Sequence, residues 1–208
     1  MSSDQLEVVS GWLGDLGGRP RILEVGCGAG WTVGTLLQFG HVTATDLADE
    51  VLERAKKRHP PAEFVAGDFM ALQFSGFDVL VCLEVLSHVA DQPAFVVKLA
   101  SALKSGGELI LATQNRPVLE RSSAVQPAKP GQLRKWVDRA ELTELLAPFF
   151  DIVEMRTITP ISDQGLHRFV SGRFACKIMG SLVGASTWKR WRELMGLGWT
   201  IMVRARGR

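Results

Sequence analysis

Apolar residues in the first half of the chain fall into short blocks that alternate between two periods. Arg21-Ile-Leu-Glu-Val25 is a brief apolar run that stops at a glycine cluster, the pattern of a buried strand entering a tight turn. Beyond Gly30, the positions Trp31, Val33, Leu36 and Leu37 return at helical spacing, and the strand-like stretch 41–45 ends on Asp46. These three blocks predict a β-α-β unit. The alternation continues with a helix over 48–58, strands over 63–66 and 77–82, a helix over 93–103 and a strand over 108–113. Strands that alternate with helices in this way predict an α/β fold built on a parallel sheet covered on both faces.

The pattern changes after Asn115. Residues 115–131 hold three prolines with Ser, Gln and Lys, and are expected to form one long loop. Asp138 and Glu141 have capping-box spacing ahead of Leu142, Leu145 and Leu146, which predicts a helix that ends near Pro148. Two strands follow, over 150–158 and 199–204. Between them lies an insertion, 161–198, with helical spacing in Phe169, Val170, Phe174, Ile178 and Leu182. With 208 residues the chain is long enough for one full core, so a single domain is expected: an N-terminal helix within 1–19, a first half over 20–115, and a second half over 116–208 that carries the insertion.

The first glycine cluster is the strongest chemical signal. Glu24-Val-Gly26-Cys27-Gly28-Ala-Gly30 joins a strand to a helix, where glycine lets the backbone approach a ligand without a Cβ in the way. A dinucleotide-binding turn would need a small residue at position 31, which is Trp31. A nicotinamide-dependent oxidoreductase is therefore disfavoured. The stretch 22–30 resembles the first motif of class I S-adenosylmethionine-dependent methyltransferases, in particular the small-molecule domain type of ubiquinone and menaquinone biosynthesis. Later segments resemble that family's motifs in the same order: Asp46, Gly67-Asp68-Phe69, the stretch 77–86, and the stretch 103–111.

The resemblance implies a Rossmann-like, doubly wound, mostly parallel seven-stranded sheet with helices on both faces and a C-terminal helical insertion before the last strand. It also implies S-adenosyl-L-methionine as cofactor. By the same likeness Glu24, Gly26, Cys27, Gly28 and Gly30 surround the methionine end, and Asp46 with Leu47 meets the ribose side. Asp68 and Phe69 read and flank the adenine, while Leu83 and Glu84 run beside the methionine moiety. Asp78, Cys82 and Gly106-Gly107 are expected to be structural, and so is the thiol of Cys27.

Methyl transfer to a hydroxyl needs a proton removed, which directs attention to histidine. His88 follows the fourth strand in Leu83-Glu-Val-Leu-Ser-His88, where relatives often carry a similar Glu-Val-Leu-x-His, and His167 lies in the insertion. Both are candidate catalytic residues. His41 and His59 are expected to be structural. No Asn/Asp-Pro-Pro-aromatic signature follows the fourth strand, so base methylation of DNA is not expected. The expected activity is methyl transfer to a small or lipid-linked metabolite at oxygen. The alternatives are a catalytically silent cofactor-binding regulator and a methyltransferase acting on RNA or protein.

Charge and composition refine this picture at the C-terminal end. The net charge of +2 divides unevenly, with ten Lys/Arg against four acids in residues 151–208 and a net of −4 in residues 1–150. Within 165–195, Trp188 and Trp191 join Lys189, Arg190 and Arg192. Two readings stand open: a lid that packs its apolar side on the domain, and a peripheral contact with an anionic membrane. Three well-separated cysteines, Cys27, Cys82 and Cys176, give neither a disulfide framework nor a zinc site. With no signal-peptide pattern and no spanning apolar run, a cytoplasmic protein is expected.

Overall fold

The computed structural model describes residues 3–122, 131–159 and 173–208. Seven strands form one sheet: β1 Arg21–Val25, β2 His41–Asp46, β3 Glu63–Ala66, β4 Phe77–Leu83, β5 Leu103–Gln114, β6 Phe150–Ile158 and β7 Thr200–Gly207. Their order is β3-β2-β1-β4-β5-β7-β6. The first five strands pair in parallel, and β7 inserts antiparallel between β5 and β6. The chain winds outward from β1 to β3 and then crosses back to β4. Strand order therefore reverses between β1 and β4, which opens a crevice at their carboxyl ends, the usual place for a ligand in an open α/β sheet.

The middles of the central strands are mostly apolar because both of their faces are covered, with the buried Glu24 a charged exception. Leu23, Val25, Leu80, Cys82, Leu109 and Leu111 point to one face, where they meet Phe95, Val96 and Leu99 of α4 (Gln92–Ala102) and Leu142 and Leu146 of α6 (Arg139–Leu146). Ile22, Val79, Val81, Ile110 and Ala112 point to the other. There they meet Val8, Val9, Trp12 and Leu13 of α1 (Ser3–Gly14), Val33 and Leu36 of α2 (Val33–Leu36), and Leu52 of α3 (Asp49–Arg58). Strand period and sheet position thus sort one sequence into two cores.

Several expectations change in extent. The helix after Gly30 contracts to the four residues of α2, whose Val33, Gly34 and Thr35 are weak helix formers. Trp31 does not join its buried side; it is exposed, with the Arg58 guanidinium 5.3 Å above its ring. The stretch 115–131 is not one loop. Arg116–Ser122 is helical, α5, because Pro117 sits in a first turn where its missing N–H costs nothing, and 123–130 lie outside the described residues. Arg116 ties this helix to Asp138 and Glu141 at 2.8 and 2.7 Å. The capping box on Asp138 forms as predicted. Strand β5 begins at Leu103 rather than 108, and β7 runs to Gly207.

The described part of the insertion is a pair of helices, α7 Arg173–Val183 and α8 Ala185–Leu194. The N-terminal helix α1 anchors this region through Asp4, which Lys189 reaches at 2.7 Å, and is itself held to β6 where the Trp12 indole donates to Glu154 at 2.9 Å. Among the described residues no helix is long and apolar enough to cross a membrane.

Candidate cofactor and acceptor site

The crevice at the carboxyl ends of β1, β2, β3 and β4 is a cavity of about 520 Å³. Of the residues singled out in the sequence, Gly26, Asp46, Leu47, Asp68, Phe69, Leu83, Glu84 and His88 line it. Glu24, Cys27, Gly28 and Gly30 do not, yet they build the turn that forms its floor. His167 lies outside the described residues.

The turn is held from the neighbouring strand. The Thr45 carbonyl accepts from the amides of Gly26 and Cys27 at 2.8 and 3.1 Å. One oxygen of the Asp46 carboxylate accepts from Gly28 N–H at 2.8 Å and the other from Ala48 N–H at 3.2 Å. Gly26 has φ +76°, and a Cβ there would stand 2.3 Å from Cγ2 of Val85. Gly28 has φ +51° and nothing within 4 Å of a built Cβ, so its bare backbone faces open space. Gly30 packs instead toward Ala55 and the His59 ring. Cys27 is buried in the core beneath. Burial, then the charges of Glu24 and Asp46, push its thiol up to about 12, so it stays protonated.

Glu24 is buried under the turn, where the Thr32 hydroxyl donates to Oε1. Its Oε2 has no hydrogen-bond partner among the described residues. Burial is the main cause that raises this carboxyl from 4.5 to about 7; the Thr32 hydrogen bond opposes the rise and the Asp46 charge adds to it. Asp68 accepts from the Met70 amide at 2.9 Å, which fixes the loop after β3. Phe69 makes an edge contact with Phe95 at 5.6 Å, so it forms part of the core and part of the cavity wall at once.

Beyond β4 the backbone turns sharply. Glu84 has φ +62°, and a 3-10 turn over Leu86–His88 follows. His88 is exposed at the cavity edge with Nδ1 3.1 Å from the Leu133 carbonyl. A carbonyl only accepts, so Nδ1 carries a hydrogen, and Nε2 is the ring nitrogen that can act as an acceptor. The Glu84 carboxylate points away from the glycine turn, toward Gln5 of α1 at 2.5 Å and Thr200 of β7 at 3.1 Å.

Sequence reasoning missed Thr45, Met70, Val85, Val89, Ala90 and Phe95 as wall residues, and Thr32 and Gln5 as partners of the two buried acids. Gln5 lies 79 positions from Glu84, and nothing local announces such a pairing. The Phe95 signal was present only as helical core periodicity. Trp136 borders a different surface groove, with Gln92 and Pro93. Asp78 accepts from Arg21 N–H and Lys104, His59 caps α3, and Gly106 turns with φ +72°, all structural as expected.

The methyltransferase-domain family matches residues 23–111. A ubiquinone biosynthesis O-methyltransferase of Xanthomonas oryzae pv. oryzae is 34% identical over 164 residues, covering 66% of this chain and 68% of the relative. The chain belongs to the class I S-adenosylmethionine-dependent methyltransferases. It is an enzyme of that family, and S-adenosyl-L-methionine is its cofactor. In fold this methyltransferase is similar to an S-adenosylmethionine-dependent methyltransferase from Mesorhizobium loti, with a TM-score of 0.68 at 18% identity over 97% of this chain and 99% of the other. It is also similar to the N-methyltransferase NodS from Bradyrhizobium japonicum WM9 in complex with S-adenosyl-L-homocysteine, with a TM-score of 0.61 at 16% identity over 97% and 86%. The cavity suits this cofactor chemically. Asp46 and Asp68 line it as acceptors suited to a ligand rich in N–H and O–H donors, and under the glycine turn the buried Glu24 Oε2 has no hydrogen-bond partner among the described residues.

Two outcomes follow from this geometry. Asp46→Ala is expected to weaken S-adenosylhomocysteine binding by about 1–3 kcal/mol, the range for hydrogen bonds to a charged group; calorimetric titration of the folded variant checks it, and unchanged affinity would make Asp46 purely structural. For Glu24 the folded value lies above the unfolded one, so its contribution to stability is present below pH 4.5 and lost as pH rises through about 7. Urea midpoints of the ligand-free protein should therefore fall relative to those of Glu24→Gln across that window, with a constant difference above it. Parallel pH profiles would show that the carboxyl is not perturbed by burial.

Proposed function

We propose that this methyltransferase acts on an oxygen of a small or lipid-linked metabolite, with His88 as the group that takes the hydroxyl proton. The observation that carries this reading is the bond from His88 Nδ1–H to the Leu133 carbonyl, which fixes the tautomer and leaves Nε2 as a free base at the mouth of the cavity. The name of the Xanthomonas relative, an O-methyltransferase of ubiquinone biosynthesis, supports oxygen as the methylated atom.

In this reading Asp46 grips the ribose hydroxyls, Leu47 and Phe69 flank the adenine, and Asp68 meets its amino group. Glu24, Gly26 and Gly28 receive the methionine end, with Leu83 and the backbone of Glu84 beside it, while Cys27 and Gly30 shape the turn. When bound, the cofactor supplies a methyl group activated on a sulfonium. The chain's own task is then to align the acceptor in line, keep water out and move one proton. Residues 20–115 carry the cofactor side and 116–208 the acceptor side of one domain. The buried, unbridged Cys27 and Cys82 fit a reducing, cytoplasmic setting.

The insertion fits a membrane-facing role better than a simple lid with its apolar side inward. Its described helices turn Lys189, Glu193 and the buried Arg192 toward the protein, whereas Ile178, Leu182, Val183, Trp191, Leu194 and Met195 are exposed, with exposed Lys177 and Arg190 beside them. Large apolar side chains bordered by cations match the chemistry of an anionic lipid surface, where a lipid-linked acceptor would reside.

His88→Ala should lower turnover of an accepted phenol by about 10²–10⁴-fold, the usual contribution of a general base, while S-adenosylhomocysteine affinity stays unchanged. Turnover equal to the parent enzyme removes His88 from the chemistry. In vesicle co-sedimentation with phosphatidylglycerol, the double variant Lys177→Glu/Arg190→Glu should lose about 1 kcal/mol of binding per charge; binding equal to the parent protein discards the membrane contact.

A further inference from the structure

A second cavity, of about 350 Å³, lies on the far side of Glu84 from the glycine turn. Gln5, Glu84, Gln114, Leu119, Thr159, Trp199 and Thr200 line it. Glu84 lines both cavities, so they meet at this residue. Three separate parts of the chain come together there: α1 brings Gln5, β4 brings Glu84, and β7 brings Thr200. Glu84 is held at φ +62°, a backbone conformation that an L-residue of this size rarely adopts. Strain of that kind persists only where the surroundings fix it, and here two hydrogen bonds to one oxygen, Oε1, do so.

The chemistry of the lining is one-sided. Among the described residues it offers a carboxylate, amides and hydroxyls, with apolar surface from Leu119 and Trp199 and no cationic side chain. Such a lining welcomes a group that donates hydrogen bonds and repels an anion.

We propose that Glu84 is the specificity-determining residue of an acceptor pocket in this second cavity, where its carboxylate accepts a hydrogen bond from a hydroxyl or amine of the acceptor and excludes acceptors with an anionic head. Gln5 and Thr200 are positioning residues that act through Glu84. The assignment rests on the methyltransferase reading only for what occupies the neighbouring cavity. It also moves the Glu84 side chain from the cofactor, where the family resemblance had put the residue, to the acceptor. Burial raises the Glu84 carboxyl, while the hydrogen bonds from Thr200 and Gln5, then the chain's N-terminal charge and His88, pull it back. Cys82, a further titratable neighbour, has its thiol driven upward by burial and stays neutral. The accepting form of Glu84 is therefore lost on acidification at a pH above the ordinary carboxylate range, and losing the Gln5 donor moves that loss higher.

The probes are phenol, benzylamine and benzoate, titrated calorimetrically into the full chain saturated with S-adenosylhomocysteine. The parent protein is expected to bind phenol and benzylamine and to reject benzoate. Glu84→Gln should weaken benzylamine by about tenfold or more, the scale of one hydrogen bond to a charged group, and admit benzoate. Glu84→Asp keeps the charge and should keep the rejection of benzoate, which separates specificity from a folding defect. In Gln5→Leu the acid limb of phenol binding should shift to higher pH with the plateau affinity kept, which loss of packing alone does not produce. Equal selectivity in Glu84→Gln and the parent, or no binding of either donor probe to the parent, overturns the proposal. A large loss of S-adenosylhomocysteine affinity in Glu84→Gln also overturns it by returning the side chain to the cofactor. Failure of S-adenosylhomocysteine to saturate the parent strikes the methyltransferase reading instead, and is read from its own titration.

Discussion

The Asp46 carboxylate ties the end of β2 to the turn after β1, one oxygen on the Gly28 amide and the other on Ala48. A chain that leaves a strand and must enter a helix on the sheet's face has a few residues in which to reverse. Its backbone N–H groups there have no helical or sheet partner of their own. Thr45 and Asp46 supply those partners from the adjacent strand. With the amides satisfied from the adjacent strand, the rest of the turn is left uncovered, and nothing lies within 4 Å of a Cβ built on Gly28. Floor, opening and nearest acid thus come from one parallel pairing, β1 with β2, in register from Arg21 with His41 to Val25 with Thr45.

The sequence carried most of the sheet and much of the lining of the candidate cavity because both depend on short-range signals. Ile22, Leu23 and Val25 and residues 79–82 place apolar side chains on both faces, and glycines, acids and strand ends follow at fixed intervals. The acceptor side was less legible. Glu84 was placed beside the cofactor from its neighbours in sequence, whereas its carboxylate is claimed by Gln5 and Thr200, which lie 79 and 116 positions away. Thr32 was unremarkable in the sequence and became the partner of Glu24 only through the fold of α2. Prolines misled in one place: Pro117 suggested a loop but occupies a helix's first turn, where proline is at home.

The insertion inverts the usual meaning of amphipathic spacing. Periodic apolar residues ordinarily mark the side that packs, yet in α8 the packed side carries Lys189, Arg192 and Glu193, held to Asp4 and to the Trp188 carbonyl. The exposed side carries Trp191, Leu194 and Met195. Periodicity gives the two faces of a helix; which one meets protein depends on the partner surface, here the acidic start of α1.

The placement of β7 between β5 and β6 bears on the order in which the molecule can be completed. Until residues 200–207 are made, β5 has an unpaired edge along most of its length and β6 has no neighbour at all, since β7 is the partner of both. A nascent chain carrying only the first five strands can already close the β1–β2 turn with Asp46, but it exposes a long apolar strand edge of the kind that pairs with other chains. Thr200 opens β7, so the same late strand also delivers one of the two groups that hold Glu84. On a ribosome, the part of the crevice beside the glycine turn is therefore ready well before the carboxylate it shares with the neighbouring cavity has been fixed in place.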